Sequence, residues 1–249
     1  MKTVRLIALL AILITGQLFA QDNKPEVKQE VRIPLIGETA PSFTAESTNG
    51  KITFPNDFYG KWKILFSHPA AFTPVCSSEI IDLADIQPDF EKLDTKIVVV
   101  STDGVNSHLA WKKSMESIRY QDKETPKINF PLVTDNDLEI SRKYGMIHSY
   151  SSTTRDIRGV FIIDPNEKIR AIFFYPMNVG RNIDEIKRTL IALQTADNKN
   201  VLTPANWTPG EDVLIPAPKT EVDADKLAAK KDPTLRELAW YMWLKKIKE

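Results

Sequence analysis

WKILFSHPAAFTPVCSSE, residues 62–79, decides how the rest of the chain is read. Trp62 to Ser67 is a short apolar run with the length of a buried strand. Pro69, Phe72 and Pro74 then mark a stiff loop. Ser77 to Leu93 sets Ile80, Ile81, Leu83, Ala84, Ile86, Phe90 and Leu93 close to helical spacing, and Pro88 is expected to kink or end the first piece. Cys76 therefore falls in the opening turn of a helix. Unpaired N–H groups and the positive end of the helix dipole favour a thiolate over a thiol there. Thr73, three residues earlier, offers a hydroxyl to the sulfur or to a bound oxygen. Pro69 can shield the sulfur from water.

Outward from this stretch, strands alternate with helices. Upstream, Phe43 to Phe54 alternates loosely around Asn49-Gly50, a hairpin signal. Downstream, Ile97 to Ser101 reads as a second buried strand. Ser107 to Ser117 reads as a helix with Leu109, Ala110 and Trp111 inward. Phe130 to Val133 is a short strand, and Asp137 to Tyr144 a helix that stops at Gly145. Val160 to Asp164 and Ile169 to Tyr175 form a hairpin across Pro165-Asn166. Ile183 to Gln194 is a final amphipathic helix. The order implies an α/β fold with a mixed sheet covered on both faces. Residues 200–220 are rich in proline. Residues 221–249 are charged around an apolar knot (Leu238, Trp240, Tyr241, Met242, Trp243, Leu244) that is expected to pack on another surface.

The start of the chain reads as an address. Lys2 and Arg5 precede the apolar run Leu6 to Ile14, and Leu18-Phe19-Ala20 offers a cleavage site before Gln21. This is the order of a secretory signal peptide, residues 1–20, and the run is short for a membrane-spanning helix. Export to the periplasm or the medium is the expectation, with residues 21–40 a flexible lead into the fold. The 249 residues carry 33 basic and 33 acidic side chains, which gives no reason to expect nucleic acid or an anionic membrane as a partner.

Cys76 is the single cysteine, so no internal disulfide forms. In an exported protein an odd cysteine is a reactive thiol or an intermolecular bridge, against the bland alternative of an inert buried side chain. His68, His108 and His148 show no ligand spacing, so neither a metal nor another cofactor is expected. His108 and His148 read as ordinary surface or helix residues.

Pro69-x-x-x-Thr73-x-x-Cys76 resembles the active-site signature of the peroxiredoxins, and FSHPAAFTPVCSSE (residues 66–79) resembles their one-cysteine, peroxiredoxin-six-like branch. Arg158-Gly-Val-Phe-Ile-Ile-Asp resembles the family strand that carries the catalytic arginine, with Arg155 a nearby competitor. Tyr175-Pro176-x-x-x-Gly180-Arg181-Asn182 and Leu202-Thr203-Pro204-Ala-Asn206-Trp207 extend the likeness over roughly residues 35–220. The resemblance implies a thioredoxin-like domain over 35–195 and a C-terminal dimerisation domain over 196–249. It also implies a homodimer or a larger ring. The chemistry implied is antioxidant reduction of hydrogen peroxide and organic hydroperoxides. Cys76 attacks the peroxide and becomes a sulfenic acid. Thr73 and backbone N–H groups hold the substrate, and Arg158 stabilises charge on the departing oxygen. Glu79 is placed to hold an arginine, Arg181 to be a second cationic support, and His68 to sit beside the pocket.

No second cysteine can resolve the sulfenic acid, so an external thiol must, and an oxidising compartment holds little of it. Some relatives also hydrolyse phospholipids, an activity tied to a serine where this chain has Lys61, so it is not carried over. A disulfide oxidoreductase would need a cysteine at Thr73. A binding or chaperone protein would have no need of Pro69, Thr73, Cys76 and Arg158 together.

Overall fold

The computed structural model describes residues 31–124 and 126–247. The expected signal peptide lies outside the described residues. In chain order the elements are β1 (Phe43–Ala45), β2 (Ile52–Phe54), β3 (Trp62–Ser67), α1 (Pro74–Lys92), β4 (Thr95–Ser101), α2 (Val105–Met115), β5 (Arg119–Tyr120) and β6 (Lys123–Glu124). They continue with β7 (Leu132–Thr134), α3 (Glu139–Lys143), β8 (Arg158–Ile163), β9 (Ile169–Tyr175), α4 (Ile183–Lys199), β10 (Val213–Leu214), α5 (Glu221–Ala228), β11 (Leu235–Ala239) and β12 (Met242–Lys245).

The central sheet has the order β7-β4-β3-β8-β9. β3, β4 and β7 run parallel, and β8 and β9 run antiparallel to their neighbours. Every residue of β3 is buried, because strand alternation feeds two cores. Trp62, Ile64 and Phe66 face Ile80, Leu83 and Phe90 of α1, Trp111 of α2, and Ile186 and Leu190 of α4. Leu65 joins Val98, Val100 and Phe161 against Phe43 and Phe54 of the first hairpin and Tyr144 and Met146 beyond α3. Each large side chain so buried contributes about 1.5–3 kcal/mol. This sandwich fixes β3 in the middle of the molecule and its C-terminal end at the site.

Several expectations need correction. Pro88 does not end α1, which runs to Lys92. Trp111 faces inward as expected, but Leu109 and Ala110 are exposed, and His108 and Met115 share the buried face of α2 instead. Residues 32–40 are tied into the fold: Gly37 N donates to Ile169 O and Ala40 N to Glu167 O. Gly145 adopts φ +63° after α3, and a Cβ there would lie 2.7 Å from Ile33 Cγ1, so glycine also lets this lead-in segment pack.

Beyond α4 a small sheet of order β10-β12-β11 forms, over a minor core of Ala192, Val201, Trp207 and Val213. Of the apolar knot, Trp243 is buried but Trp240 is 62% and Tyr241 55% exposed, so within one chain the knot remains largely uncovered.

Candidate active site

β3 ends at Ser67, and the next residues leave the sheet while held to it: His68 N donates to Val100 O. Pro69 and Ala70 are buried. Phe72 then takes a left-handed conformation, φ +57°, which turns the chain sharply and leaves its ring exposed. Thr73, extended at φ −110°, is the residue before α1, and Pro74 fills the first helical position, where a missing N–H costs nothing. Cys76 follows in the first turn, fully buried. The Thr73 hydroxyl donates to Ala70 O at 2.9 Å rather than to the sulfur, so its lone pairs are what it presents to a ligand.

Arg158 opens β8, the strand antiparallel to β3, and this register brings it level with the loop. Its Nη1 lies 3.4 Å from Cys76 Sγ and donates to Glu79 Oε2 at 2.7 Å. Its Nε and Nη2 both donate to Met177 O, at 3.0 and 2.5 Å. The guanidinium is thereby held on two sides with one corner aimed at the sulfur. Glu79 lies one helical turn after Cys76, on the same face of α1.

Arg181 stands just before α4, whose first turn Asn182 caps by accepting from Glu185 N at 3.0 Å. Its backbone N and its Nε donate to Glu79 Oε1 at 2.8 and 2.9 Å, and Nη2 donates to Oε2 at 2.7 Å. Nη1 reaches Ser67 O and Gly159 O at 2.8 and 2.9 Å. Its guanidinium carbon sits 3.3 Å from the centre of the Phe66 ring. A Cβ on Gly159 would lie 3.0 Å from Ser67 Oγ and 3.1 Å from Phe174, so this strand needs glycine to come close enough. Burial pulls the Arg181 pKa down from its ordinary value, and Glu79 opposes that.

Two buried guanidiniums thus share one buried carboxylate. The cluster keeps one positive charge to spare, and the group in reach of it is the Cys76 sulfur.

His68 is fully buried, with its ring 4.8 Å from that of Trp111, and neither ring nitrogen makes a well-formed hydrogen bond. Burial holds its pKa well below the usual value, with His108, Arg181 and Arg158 acting the same way, so it is a neutral ring beside two cations. His108 is also buried rather than on the surface, with Nε2 2.8 Å from Ser101 Oγ. Arg155 is exposed, outside the site. The structure therefore gathers Cys76, Thr73, Pro69, Arg158, Glu79, Arg181 and His68 at one end of the sheet. The Met177 carbonyl was missed, because a backbone acceptor has no signature in sequence. Trp111, a core residue from its place in the helix, also donates from Nε1 to Ser77 Oγ at 3.1 Å. Among the described residues no group of three or more His, Cys, Asp or Glu is placed to hold a metal.

Comparison with known proteins agrees with this geometry. Residues 36–172 match the model of the AhpC/TSA family, and residues 192–231 match the C-terminal domain of 1-Cys peroxiredoxin. A peroxiredoxin of Methanosarcina mazei is 48% identical over 215 residues, 86% of this chain and 98% of that one. A peroxiredoxin of Thermotoga maritima is 44% identical over 222 residues, 88% of this chain and all of that one. Among solved structures, a yeast mitochondrial 1-Cys peroxiredoxin, described with a thiol resolving mechanism via glutathione/thioredoxin systems, superposes with a TM-score of 0.75 at 34% identity, covering 86% of this chain and 100% of that one. A cysteine-to-serine mutant of peroxiredoxin 6 from Arenicola marina gives 0.74 at 30% identity, covering 86% of this chain and 99% of that one.

Proposed function

The chain belongs to the peroxiredoxins of the AhpC/TSA family, in their 1-Cys branch, and from that premise we propose how its site divides the work. The protein is a thiol-dependent peroxidase with a thioredoxin-like fold and an antioxidant role, acting through its one cysteine. A hydroperoxide enters with one oxygen in line with Cys76 Sγ, and the O–H of that oxygen donates a hydrogen bond to the lone pairs of Thr73. The sulfur's electron pair forms the S–O bond as the O–O bond breaks. The departing oxygen takes the bonding pair and a proton from solvent and leaves as water or an alcohol, while the attacked oxygen keeps its hydrogen on the sulfur. Arg158 lies against both sulfur and incoming oxygen, so it stabilises the charge as it moves. Glu79 and the Met177 carbonyl aim that guanidinium, and Arg181 neutralises Glu79 while tying it to β3 and β8.

Cys76 is left as a sulfenic acid. One external thiol displaces water from it to give a mixed disulfide, and a second releases the cysteine and carries away a disulfide. Hydrogen peroxide and organic hydroperoxides are the proposed substrates. The reductant is a free thiol or a dithiol protein, the kind of system named for the yeast relative. The sulfur is fully buried, so the first turn of α1 must open for a thiol to reach it. Export is supported by the order of charge, apolar run and small residue in residues 1–20. A homodimer is supported by the uncovered Leu238, Trp240, Tyr241 and Met242 of the C-terminal hairpin.

The observation that carries the reading is the 3.4 Å approach of Arg158 to the sulfur from an arginine held by Glu79 and Met177 O. The test is rapid mixing of the reduced protein with hydrogen peroxide, followed by tryptophan fluorescence and a sulfenic-acid trap, with Cys76→Ser alongside. A rate at least ~1000-fold above that of a free thiol corresponds to roughly 4 kcal/mol of transition-state stabilisation. A rate no faster than a free thiol would remove these roles from Thr73 and Arg158.

A further inference from the structure

Residues 69–72 hand the chain from β3 to α1, and they set where Thr73 stands. Among the described hydrogen bonds, one leads from these four residues to a part of the fold distant in sequence. It runs from Ala71 N–H to Asp103 Oδ2, at 2.7 Å. Asp103 follows β4 and precedes α2, and it is itself well fixed. Ser101 Oγ donates to the same Oδ2 at 3.1 Å and lies 2.8 Å from His108 Nε2, so this hydroxyl bridges the carboxylate to the buried imidazole. Asp103 N donates to Ser101 Oγ at 3.2 Å, and Thr134 Oγ1 donates to Asp103 O at 2.6 Å. A carboxylate accepting a backbone N–H at this distance makes one of the stronger hydrogen bonds available to a loop. From the other side, α2 holds the first turn of α1 through Trp111 and Ser77. The segment around α2 therefore grips both the loop before Cys76 and the helix turn that carries it.

We propose that Asp103 is a positioning residue for peroxide reduction: through Ala71 N–H it fixes the loop that leads to Thr73 and so sets where the Thr73 hydroxyl meets the peroxide. This rests on the reading of Thr73 as the group that receives the peroxide. Asp103 touches neither sulfur nor substrate, so its effect is confined to reactions that need Thr73 in place. Alkylation of Cys76 by iodoacetamide needs the thiolate and no peroxide site. The two reagents separate positioning from a general loss of reactivity.

The experiment compares Asp103→Ala, Asp103→Asn, Thr73→Val and the double variant Asp103→Ala/Thr73→Val in the full chain. Each is assayed for peroxide rate and iodoacetamide rate. Displacing a binding group by about 1 Å costs on the order of 100-fold in rate. Asp103→Ala should lose about that factor with peroxide while alkylation stays within roughly threefold. Asp103→Asn keeps an acceptor oxygen for Ala71 N–H and should regain most of the rate. In the double variant the losses should not multiply, because both act through one group. A wild-type peroxide rate in Asp103→Ala, or equal loss with both reagents, overturns the proposal. Multiplying losses overturn it too. A wild-type rate in Thr73→Val instead overturns the reading beneath it. Should Asp103→Ala not fold, Ser101→Ala removes the bridge while leaving the carboxylate. A loss of about tenfold confined to peroxide supports the proposal, and a rate within roughly threefold of wild type overturns it.

Discussion

Replacing Glu79 by glutamine changes one charge in the buried cluster and little else. Glu79 accepts from Arg158 Nη1 at 2.7 Å and from Arg181 N, Nε and Nη2 at 2.8, 2.9 and 2.7 Å. The three side chains are at most 3% exposed, so water cannot take the carboxylate's place. Glutamine offers one acceptor oxygen to four donors, and its NH₂ would point at a guanidinium. The two buried cations lose the one carboxylate they share. Breaking a buried pair of this kind costs about 3–5 kcal/mol, because the surviving charge keeps its desolvation penalty. For a domain of this size that lowers the melting temperature by roughly 6–20 °C. Arg158 keeps its bonds to Met177 O, so the guanidinium is loosened rather than lost. A peroxide rate reduced by about 10–100-fold is expected. Urea unfolding at two protein concentrations gives the stability, and stopped-flow mixing below the new melting temperature gives the rate. If Glu79→Gln unfolds within about 1 kcal/mol of the wild type and reacts at its rate, the cluster is not held by this carboxylate, and the assignment of its role is wrong.

Arg158→Met keeps the stem and removes the charge beside the sulfur, and it should slow peroxide reduction by about 100–1000-fold, read by the same stopped-flow assay. Asp156 is fully buried with neither carboxyl oxygen in a well-formed hydrogen bond, and burial raises its pKa well above the ordinary value, with Asp135 and Asp103 adding like charge and the nearby Ser141 hydroxyl opposing. Its folded state favours the neutral acid, so the stability it allows is complete below the ordinary carboxylate pKa and is lost as pH rises toward the raised one. Asp156→Asn should therefore gain stability over the wild type as pH rises from about 4, measured by denaturant midpoints across pH; an unchanged difference would show Asp156 is not buried as an acid. Trp240→Ser with Tyr241→Ser should shift the proposed homodimer toward monomer in sedimentation, and an unchanged sedimentation profile would place the interface elsewhere.

The local order of the chain was legible without coordinates. Trp62 to Ser67 and Ile169 to Tyr175 are strands with the bounds their apolar runs imply, and Cys76 falls in the first turn of α1. Such features depend on neighbours a few residues away, so periodicity, prolines and the Asn49-Gly50 turn are enough to fix them. The identities of Cys76, Thr73, Pro69, Arg158, Glu79 and Arg181 came from a motif and the resemblance it carries. What each touches did not. Glu79 was expected to hold one arginine and holds two, from partners 79 and 102 residues away. His108 reads from the sequence as a surface or helix residue; it lies in α2, but its burial is set by packing the sequence does not display. Asp103 and the Met177 carbonyl carry no pattern of their own. These facts belong to where β3, β8, the start of α4 and the β4–α2 segment meet, and there long-range packing decides which polar groups lose their water. The order of residues settled which chemistry the chain holds and where along it. The charge balance around the sulfur was settled by folding alone, because it depends on which buried charges are left facing one another.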